Sequence, residues 1–398
     1  MDGVISPVGV QHLNEIPTGH MTGKQPTICF VSPSTYPILA GDRSIREVGG
    51  AQVQQCILAR ELVRRGFSVS MICMNYGQDD GIEIDGIRVY RAHTPLEGFP
   101  VLRFIHPRMT SIWVAMRRAN ADIYYQRTAG ALTGIVVGFT KANRRLSIYA
   151  AASDRDFYAD TPHIRYVRDR AIYRWALRNA DLVVAQTEQQ REICERNFGR
   201  APTVIRSCYG HQGKSANQQG AIIWAGRIMP VKRAELFIEL ARRLPQYRFK
   251  LIGGDDAELT PLRLVAGRLD NLEFTGFIPF VDIEAHFDGQ ALLVNTSSNE
   301  GFPNTFLQAW SRGMPTVSFF DPHAISEGRR VGHVAATLDE MASQIKALKD
   351  VPRRWAQQSK LSSKYFADTF SVSEAANSYQ RMFDSAMRRL PISSQGAV

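Results

Sequence analysis

Cysteine is scarce in this chain, long apolar runs are missing, and the short motifs of the commonest nucleotide-binding folds do not occur. The 398 residues hold five cysteines, Cys29, Cys56, Cys73, Cys194 and Cys208. Their number is odd, no C-x-x-C occurs and no His-Cys cluster has metal-ligand spacing. That excludes a disulfide framework and a structural zinc site, and it suggests buried thiols in a reducing compartment. The longest weakly polar run, 129–140, falls well short of the roughly 20 residues that span a bilayer. The first twenty residues lack a basic stretch followed by an apolar one, so no secretory signal is expected. No GxGxxG follows the first expected strand, which counts against an NAD enzyme, and the absence of GxxxxGK[ST] counts against a P-loop NTPase.

What is present is ordinary globular composition with a basic excess. Apolar residues make up 44% and charged residues 22%, which excludes a collagen, a coiled coil or a largely disordered chain. Single cores stop growing at roughly 250–300 residues, so two domains are expected. Lys and Arg number 48 against 38 Asp and Glu, a formal charge of +10. Such an excess calls for an anionic partner: nucleic acid, a lipid surface or a phosphorylated small molecule.

Apolar periodicity supplies the organisation. Residues 1–26 read as a tail. The run Thr27-Ile-Cys-Phe-Val31 is a buried strand, 51–64 carries apolar residues at helical spacing, and Val69-Ser-Met-Ile-Cys73 is a second strand. Strand, helix, strand within 50 residues implies a parallel sheet. Strands at 123–125, 147–150 and 181–185 alternate with helices at 131–142 and 166–179. A stretch rich in Gly, Ser, Asn and Gln, 207–220, reads as a linker. A second α/β pattern then begins at 221–225, with further strands at 249–252, 272–274, 291–294 and 316–319 and mostly helix after them. The expected domains are 27–212 and 213–370, with 371–398 a terminal helix and tail that crosses back to the first domain. Open parallel sheets bind ligands beyond the carboxyl ends of their strands, which puts the default site in the cleft between the domains.

Three segments sit at such ends. Gly49-Gly50-Ala51 precedes the first long helix, where glycine lets backbone approach a ligand closely. Gly226-Arg227-Ile-Met-Pro230-Val-Lys232 follows the first strand of the second pattern. Its arginine fork and lysine point charge suit a diphosphate. Ser297-Ser298-Asn299-Glu300-Gly301-Phe302-Pro303-Asn304-Thr305-Phe306-Leu307-Gln308 follows the strand at 291–294 and opens a helix. Glu300 there is expected to face the cleft.

With Gly253-Gly254-Asp255 and Phe274-Thr-Gly-Phe-Ile278, these segments in this order make the chain resemble the GT-B glycosyltransferases of family 4 over about residues 27–390. The resemblance implies two Rossmann-like parallel-sheet domains facing a cleft, and retaining transfer of a sugar from a UDP- or GDP-sugar without a metal or other cofactor. Carried over, Arg227 and Lys232 hold the diphosphate and stabilise the departing charge. Glu300 meets donor-sugar hydroxyls, and the backbone of 301–305 (Gly301, Phe302, Pro303, Asn304, Thr305) lines the sugar and phosphate, with amides from all but Pro303. Gln308 meets the ribose, while Gly226, Gly254 and the backbone near Ile278 frame the base and phosphates. Gly49, Gly50 and Ala51 close over the phosphates or the acceptor from the first domain.

Two departures stand out. The family pattern is Glu-x7-Glu, and here the second position is Gln308, neutral but still able to accept and donate. Many members also carry a histidine after a first-domain strand, where this chain reads Ala150-Ala-Ala-Ser153-Asp154-Arg155-Asp156. Ser153 or Asp154 is expected to line the pocket instead, with Asp154 the candidate to orient an acceptor hydroxyl, while His93, His106, His163 and His211 look like scattered surface or capping residues.

The basic excess is local: 101–178 holds 14 Lys and Arg against 5 Asp and Glu, a net of +9, interleaved with aromatic residues. Basic and aromatic residues on helices suit an anionic membrane surface and also nucleic acid, while a solvated helix back over an apolar core gives the same pattern; the family context favours the membrane. The acceptor implied by the family is a glycan, often carried on a polyprenyl diphosphate, in bacterial surface-polysaccharide assembly. The expected location is cytoplasmic, peripheral at the inner face of the cell membrane. The rival readings are a GT-B-shaped sugar-nucleotide epimerase or hydrolase, and a basic nucleic-acid-binding module. No nucleic-acid motif appears, so no nucleic acid is expected.

Overall fold

Two parallel sheets, each flanked by helices, make up the computed structural model, which describes residues 25–43, 49–94, 97, 104–210, 213–300 and 302–388. The first sheet holds β1 (Ile28–Val31), β2 (Val69–Cys73), β3 (Ile82–Ile84), β4 (Ile87–Arg91), β5 (Ile123–Arg127), β6 (Leu146–Ala150), β7 (Leu182–Ala185) and β8 (Thr203–Val204). Their order is β3-β4-β2-β1-β5-β6-β7-β8, and only the β3–β4 hairpin is antiparallel. The second contains β9 (Ile222–Ala225), β10 (Phe249–Ile252), β11 (Leu272–Gly276), β12 (Leu292–Asn295) and β13 (Thr316–Ser318). A small hairpin of β14 (Ile325–Ser326) and β15 (Arg329–Arg330) precedes the last strand, β16 (His333–Val334). The order of the second sheet is β11-β10-β9-β12-β13-β16.

Both sheets start in the middle and build outward. β1 pairs with β2 on one side and β5 on the other, and β9 lies likewise between β10 and β12. Each therefore has a switch point at its centre, where diverging connections leave a crevice above the carboxyl ends. The central strands are mostly apolar because helices cover both faces; β1, β5 and β6 are buried at every residue, the polar Gln126, Arg127 and Ser147 included.

The chain crosses between the domains twice, side by side. The Tyr209 N–H donates to the Phe370 carbonyl at 3.1 Å, tying the outward crossing to the return. The helix Val372–Met387 then lies on the first domain's helix Gly50–Arg64. Phe383 meets Phe67 edge-on at 6.2 Å, the Tyr379 and Tyr125 hydroxyls stand 3.2 Å apart, and Arg65 donates to Asn377 at 2.6 Å.

The linker expected at 207–220 begins later than its composition suggests. Ser207, Cys208 and Tyr209 are buried: Cys208 packs in the apolar cluster of the first domain and Tyr209 in one of the second, and hydrogen bonds satisfy the polar groups beside them. The carboxamide of Gln54 brackets the Cys208 peptide, accepting from its N–H and donating to its carbonyl, both at 2.9 Å. The Ser207 hydroxyl donates to Gln186 at 2.8 Å. The hairpin β3–β4 goes unread by apolar runs, because β4 buries only Ile87 and Val89.

The turn after β10 is set by glycine. Gly253 has φ +123°, and a Cβ there would lie 2.0 Å from the Gly226 carbonyl oxygen. Gly254 follows at φ +81°. Gly253→Ala is expected to cost about 1–3 kcal/mol through backbone strain. Urea denaturation measures it, and an unchanged midpoint would mean that the two turns do not need this approach.

Candidate donor-sugar site at the carboxyl ends of the second sheet

Two loops meet above β9 and β12. Pro230–Lys232 form a short 3-10 turn, and Arg233 takes left-handed backbone, φ +49°, before the helix Ala234–Arg243. Loop 296–303 follows β12 and ends at the buried Pro303, which precedes the helix Asn304–Trp310. The loops are sewn together. The Ser298 N–H donates to the Val231 carbonyl at 2.9 Å, and the Thr296 hydroxyl to the Lys232 carbonyl at 2.7 Å. Trp224 Nε1 donates to that hydroxyl at 3.0 Å from below, and Arg233 Nε to the Thr296 carbonyl at 2.7 Å. The Arg233 guanidinium lies 4.7 Å from the centre of the Phe319 ring, a cation–π contact that steadies a strained residue.

This stitching places Lys232 on Glu300. The ammonium donates to Glu300 Oε1 at 2.5 Å, and the same oxygen accepts from the Ser297 hydroxyl at 2.6 Å and from Asn295 Nδ2 at 3.1 Å. Among the described residues Oε2 takes no hydrogen bond, so one side of the carboxylate is uncommitted. The Glu300 side chain is only 9% exposed. A carboxylate so far from water needs its donors; Lys232 and Ser297 come from the two loops and Asn295 from the end of β12. Ser297 opens the segment read from the sequence, whereas Asn295 was missed; its signal is a polar residue closing the apolar strand Leu292–Asn295. Arg227 stands exposed and has no partner among the described residues.

The remaining expected positions divide. Gly226 sits against the Gly253-Gly254 turn, its N–H donating to the Ile252 carbonyl at 3.1 Å. Ile278 is half-buried against the apolar cluster around Phe306. Phe302 turns its ring inward, 5.2 Å from Phe370 and 6.1 Å from Trp310, leaving only its backbone for a ligand. Gly301 lies outside the described residues. Thr305 is half-buried on the first turn of the helix. Gln308 is buried and bonded to Glu284.

Asn304 reaches the other domain. Its Nδ2 donates to the Gly50 carbonyl at 3.0 Å, and its Oδ1 accepts from Gln54 at 3.1 Å. A Cβ on Gly50 would come within 2.9 Å of Asn304 Nδ2, so glycine there permits the approach. Gly49, Gly50 and Ala51 thus stand directly across from the second-domain loop. At the rim, Arg43 pairs with Asp282 at 2.9 Å.

On the first-domain wall Asp154 opens the turn Asp154–Phe157 after β6. Burial pushes its carboxyl above the ordinary range, and Asp156 adds to this; a Gln190 hydrogen bond and His323 of the second domain oppose it. Asp156 anchors the turn from beneath, accepting from the Ala152 N–H at 2.7 Å and from the Tyr149 and Ser153 hydroxyls at 3.2 Å. His163 lies 3.4 Å from Asp156, and burial holds its imidazole below the usual range. It is an internal residue of that wall. Among the described residues no three His, Cys, Asp or Glu side chains gather as a metal would require.

The model of the Glycosyltransferase Family 4 matches residues 48–209, and that of Glycosyl transferases group 1 matches residues 219–350. Among curated proteins, the mannosylfructose-phosphate synthase of Agrobacterium fabrum is 22% identical over 357 residues, 74% of this chain and 76% of that one. The 2-deoxystreptamine glucosyltransferase of Streptomyces kanamyceticus is 24% identical over 280 residues, 62% and 70% of the two chains. Among solved structures, the sucrose-phosphate synthase of Thermosynechococcus elongatus superposes with a TM-score of 0.73 at 16% identity, over 92% of this chain and all of that one. Anabaena HepE in complex with UDP and glucose gives 0.69 at 17%, over 91% and 100%. Two matched domains, in order and together spanning well over half the sequence, on this two-sheet architecture, place the chain in glycosyltransferase family 4 with the GT-B fold.

Proposed function

We propose that this glycosyltransferase moves a sugar from a UDP- or GDP-sugar, with retention of configuration, to a lipid-linked glycan acceptor in bacterial exopolysaccharide, capsule or lipopolysaccharide assembly. The observation that carries the reading is the Lys232–Glu300 pair, set at the switch point of the second sheet and facing the first domain across Asn304. A cation and a carboxylate held side by side match the two faces of a sugar diphosphate. When the donor enters, Lys232 exchanges Glu300 for the diphosphate, and Arg227, exposed and unpartnered among the described residues, closes on it. Glu300 keeps Ser297 and Asn295 and turns its open oxygen to the sugar hydroxyls. The bond from the anomeric carbon to the phosphate oxygen breaks, with its electron pair leaving on the diphosphate. The acceptor oxygen bonds to the anomeric carbon from the same face, and its proton passes to the departing phosphate oxygen. Arg227 and Lys232 supply the positive charge for this step, so no metal or other cofactor is expected. That HepE holds UDP and glucose in its complex supports this class of donor.

The acceptor side rests on the surface. The helices Thr110–Ala119, Ala131–Asn143 and Val167–Asn179 follow β4, β5 and β6 along one side of the first sheet. They and the segment just before the last of them expose Val114, Tyr166, Val167 and Trp175 beside Arg117, Arg165, Arg168 and Arg178. Exposed apolar groups among arginines fit the headgroup region of an anionic bilayer, where a lipid-linked acceptor would sit. Among the described residues no helix is long and apolar enough to cross a membrane.

Three measurements test the reading. Calorimetric titration of UDP and GDP should show one of them binding, with Arg227→Ala and Lys232→Ala each weakening it about tenfold to a hundredfold, as expected for a charge-assisted bond. Unchanged affinity in both variants would overturn the phosphate assignment. Vesicles containing phosphatidylglycerol should sediment the protein at low salt and phosphatidylcholine vesicles should not, with Tyr166→Ala/Trp175→Ala reducing the bound fraction severalfold. No binding at low salt would remove the membrane. Finally, Asp154→Asn should lower turnover if Asp154 orients the acceptor. Because the folded state raises this carboxyl, it favours the protonated form, an advantage present at low pH and lost as pH rises through the raised value. The variant should therefore be more stable than the parent at pH 7 and equal to it near pH 3. Unaltered turnover would release Asp154 from any part in the reaction.

A further inference from the structure

We infer that Glu284 is a positioning residue that fixes the Gln308 carboxamide with its carbonyl oxygen toward the ligand, so that the pair selects a nucleotide by its ribose hydroxyls; this rests on the sugar-nucleotide reading above. Gln308 Nε2 donates to Glu284 Oε1 at 3.0 Å. A carboxylate only accepts, so a carboxamide beside it must present its NH2 on that side and its oxygen on the other. Glu284 thereby settles an orientation that a lone glutamine leaves open.

Glu284 itself is held from several elements. Its Oε1 also accepts from the Tyr209 hydroxyl, at the crossing between the domains, and its Oε2 from Arg312 Nη2 at 2.7 Å. Burial, and then Glu284, push the Tyr209 hydroxyl upward, so it stays a neutral donor. The Arg312 side chain has no exposed surface. It also donates from Nε to Asp288 Oδ1 at 2.8 Å and from Nη1 to the Gln308 carbonyl at 3.0 Å. Backbone and side chain of Gln308 are thus both tied to one charged cluster.

The outward side is different. Among the described residues no donor reaches Gln308 Oε1, and it is not among the buried atoms sealed without a partner. Glu284 keeps 33% of its side chain exposed. An amide oxygen and the open edge of a carboxylate, side by side, offer two acceptors to the two hydroxyls of a vicinal diol. The negative charge of Glu284 adds to the acceptor strength of an amide whose NH2 it binds. A neutral Gln308 therefore keeps the hydrogen-bond polarity that a hydroxyl-binding position needs.

The experiment is calorimetric titration of UDP and GDP and their 2′-deoxy and 3′-deoxy counterparts, on the full chain and on Glu284→Gln, Glu284→Asp, Gln308→Glu and the double exchange Glu284→Gln/Gln308→Glu. The parent should prefer the ribonucleotide by about tenfold or more, the size of one or two hydrogen bonds to a charged group. Glu284→Gln frees the amide to flip, and Glu284→Asp keeps the charge for Arg312 but shortens the reach. Either should bring the preference down to about twofold to threefold. Gln308→Glu sets two carboxylates together and should weaken all the nucleotides. The double exchange restores one carboxylate and one amide and should recover the preference. Equal affinity of the parent for ribo and deoxy forms would overturn the inference while leaving donor binding intact, as would full preference retained in both Glu284 variants. Failure of the parent to bind either nucleotide would overturn the sugar-nucleotide reading itself, and this inference with it.

Discussion

Glu300 Oε1 accepts from an ammonium, a hydroxyl and a carboxamide at once, and the upper edge of the second domain is organised around supplying it. Taking a carboxylate out of water is costly, and only a geometry that delivers donors from fixed positions makes it tolerable. Asn295 is fixed because it ends a central strand, Ser297 because it is buried, and Lys232 because its own carbonyl is held by Thr296. Each tie is a backbone or short side-chain bond. The flexibility usual for a lysine is removed at its root, and the charge is left where it can exchange partners.

That preorganisation extends across the cleft. Gln54 spends one carboxamide on two tasks: it brackets the peptide of Cys208, where the chain leaves the first domain, and it touches Asn304 of the second. The orientation of the domains and the position of the helix that opens at Asn304 therefore share a residue. Tyr209, one position further on, does the same for Glu284. The crossing segment is a set of polar contacts reporting the arrangement of one domain to the site of the other.

How much of this was legible in the sequence depended on distance along the chain. β1, β2, β9, β10 and β12 are predominantly apolar runs, and their limits fall within a residue or two of the reading. The hairpin β3–β4 is half-exposed, so apolar runs pass over it, although Asp85-Gly86, both at positive φ, is a strong tight-turn signal. Ser207 to Tyr209 look like linker because they run into a polar, glycine-rich stretch, although Cys208 and Tyr209 pack into the apolar clusters of the two domains. The site loops were legible as Gly, Arg, Lys and Glu at strand ends. Their partners were not: Glu284 and Gln308 lie 24 residues apart, and Gln54 and Asn304 250 apart. No local pattern links such pairs; only the folded topology does.

The return of the helix Val372–Met387 to the first domain also bears on how the protein is made. Ala375, Ala376, Tyr379 and Phe383 belong to the same buried cluster as β1, β2 and β5. As the chain emerges from the ribosome, the first sheet has its strands long before it has this cover. Its core cannot close until nearly all of the second domain has been synthesised. The domain that comes first in the message is therefore the last to be completed, and the ordinary order of folding along a two-domain chain is reversed for its final step.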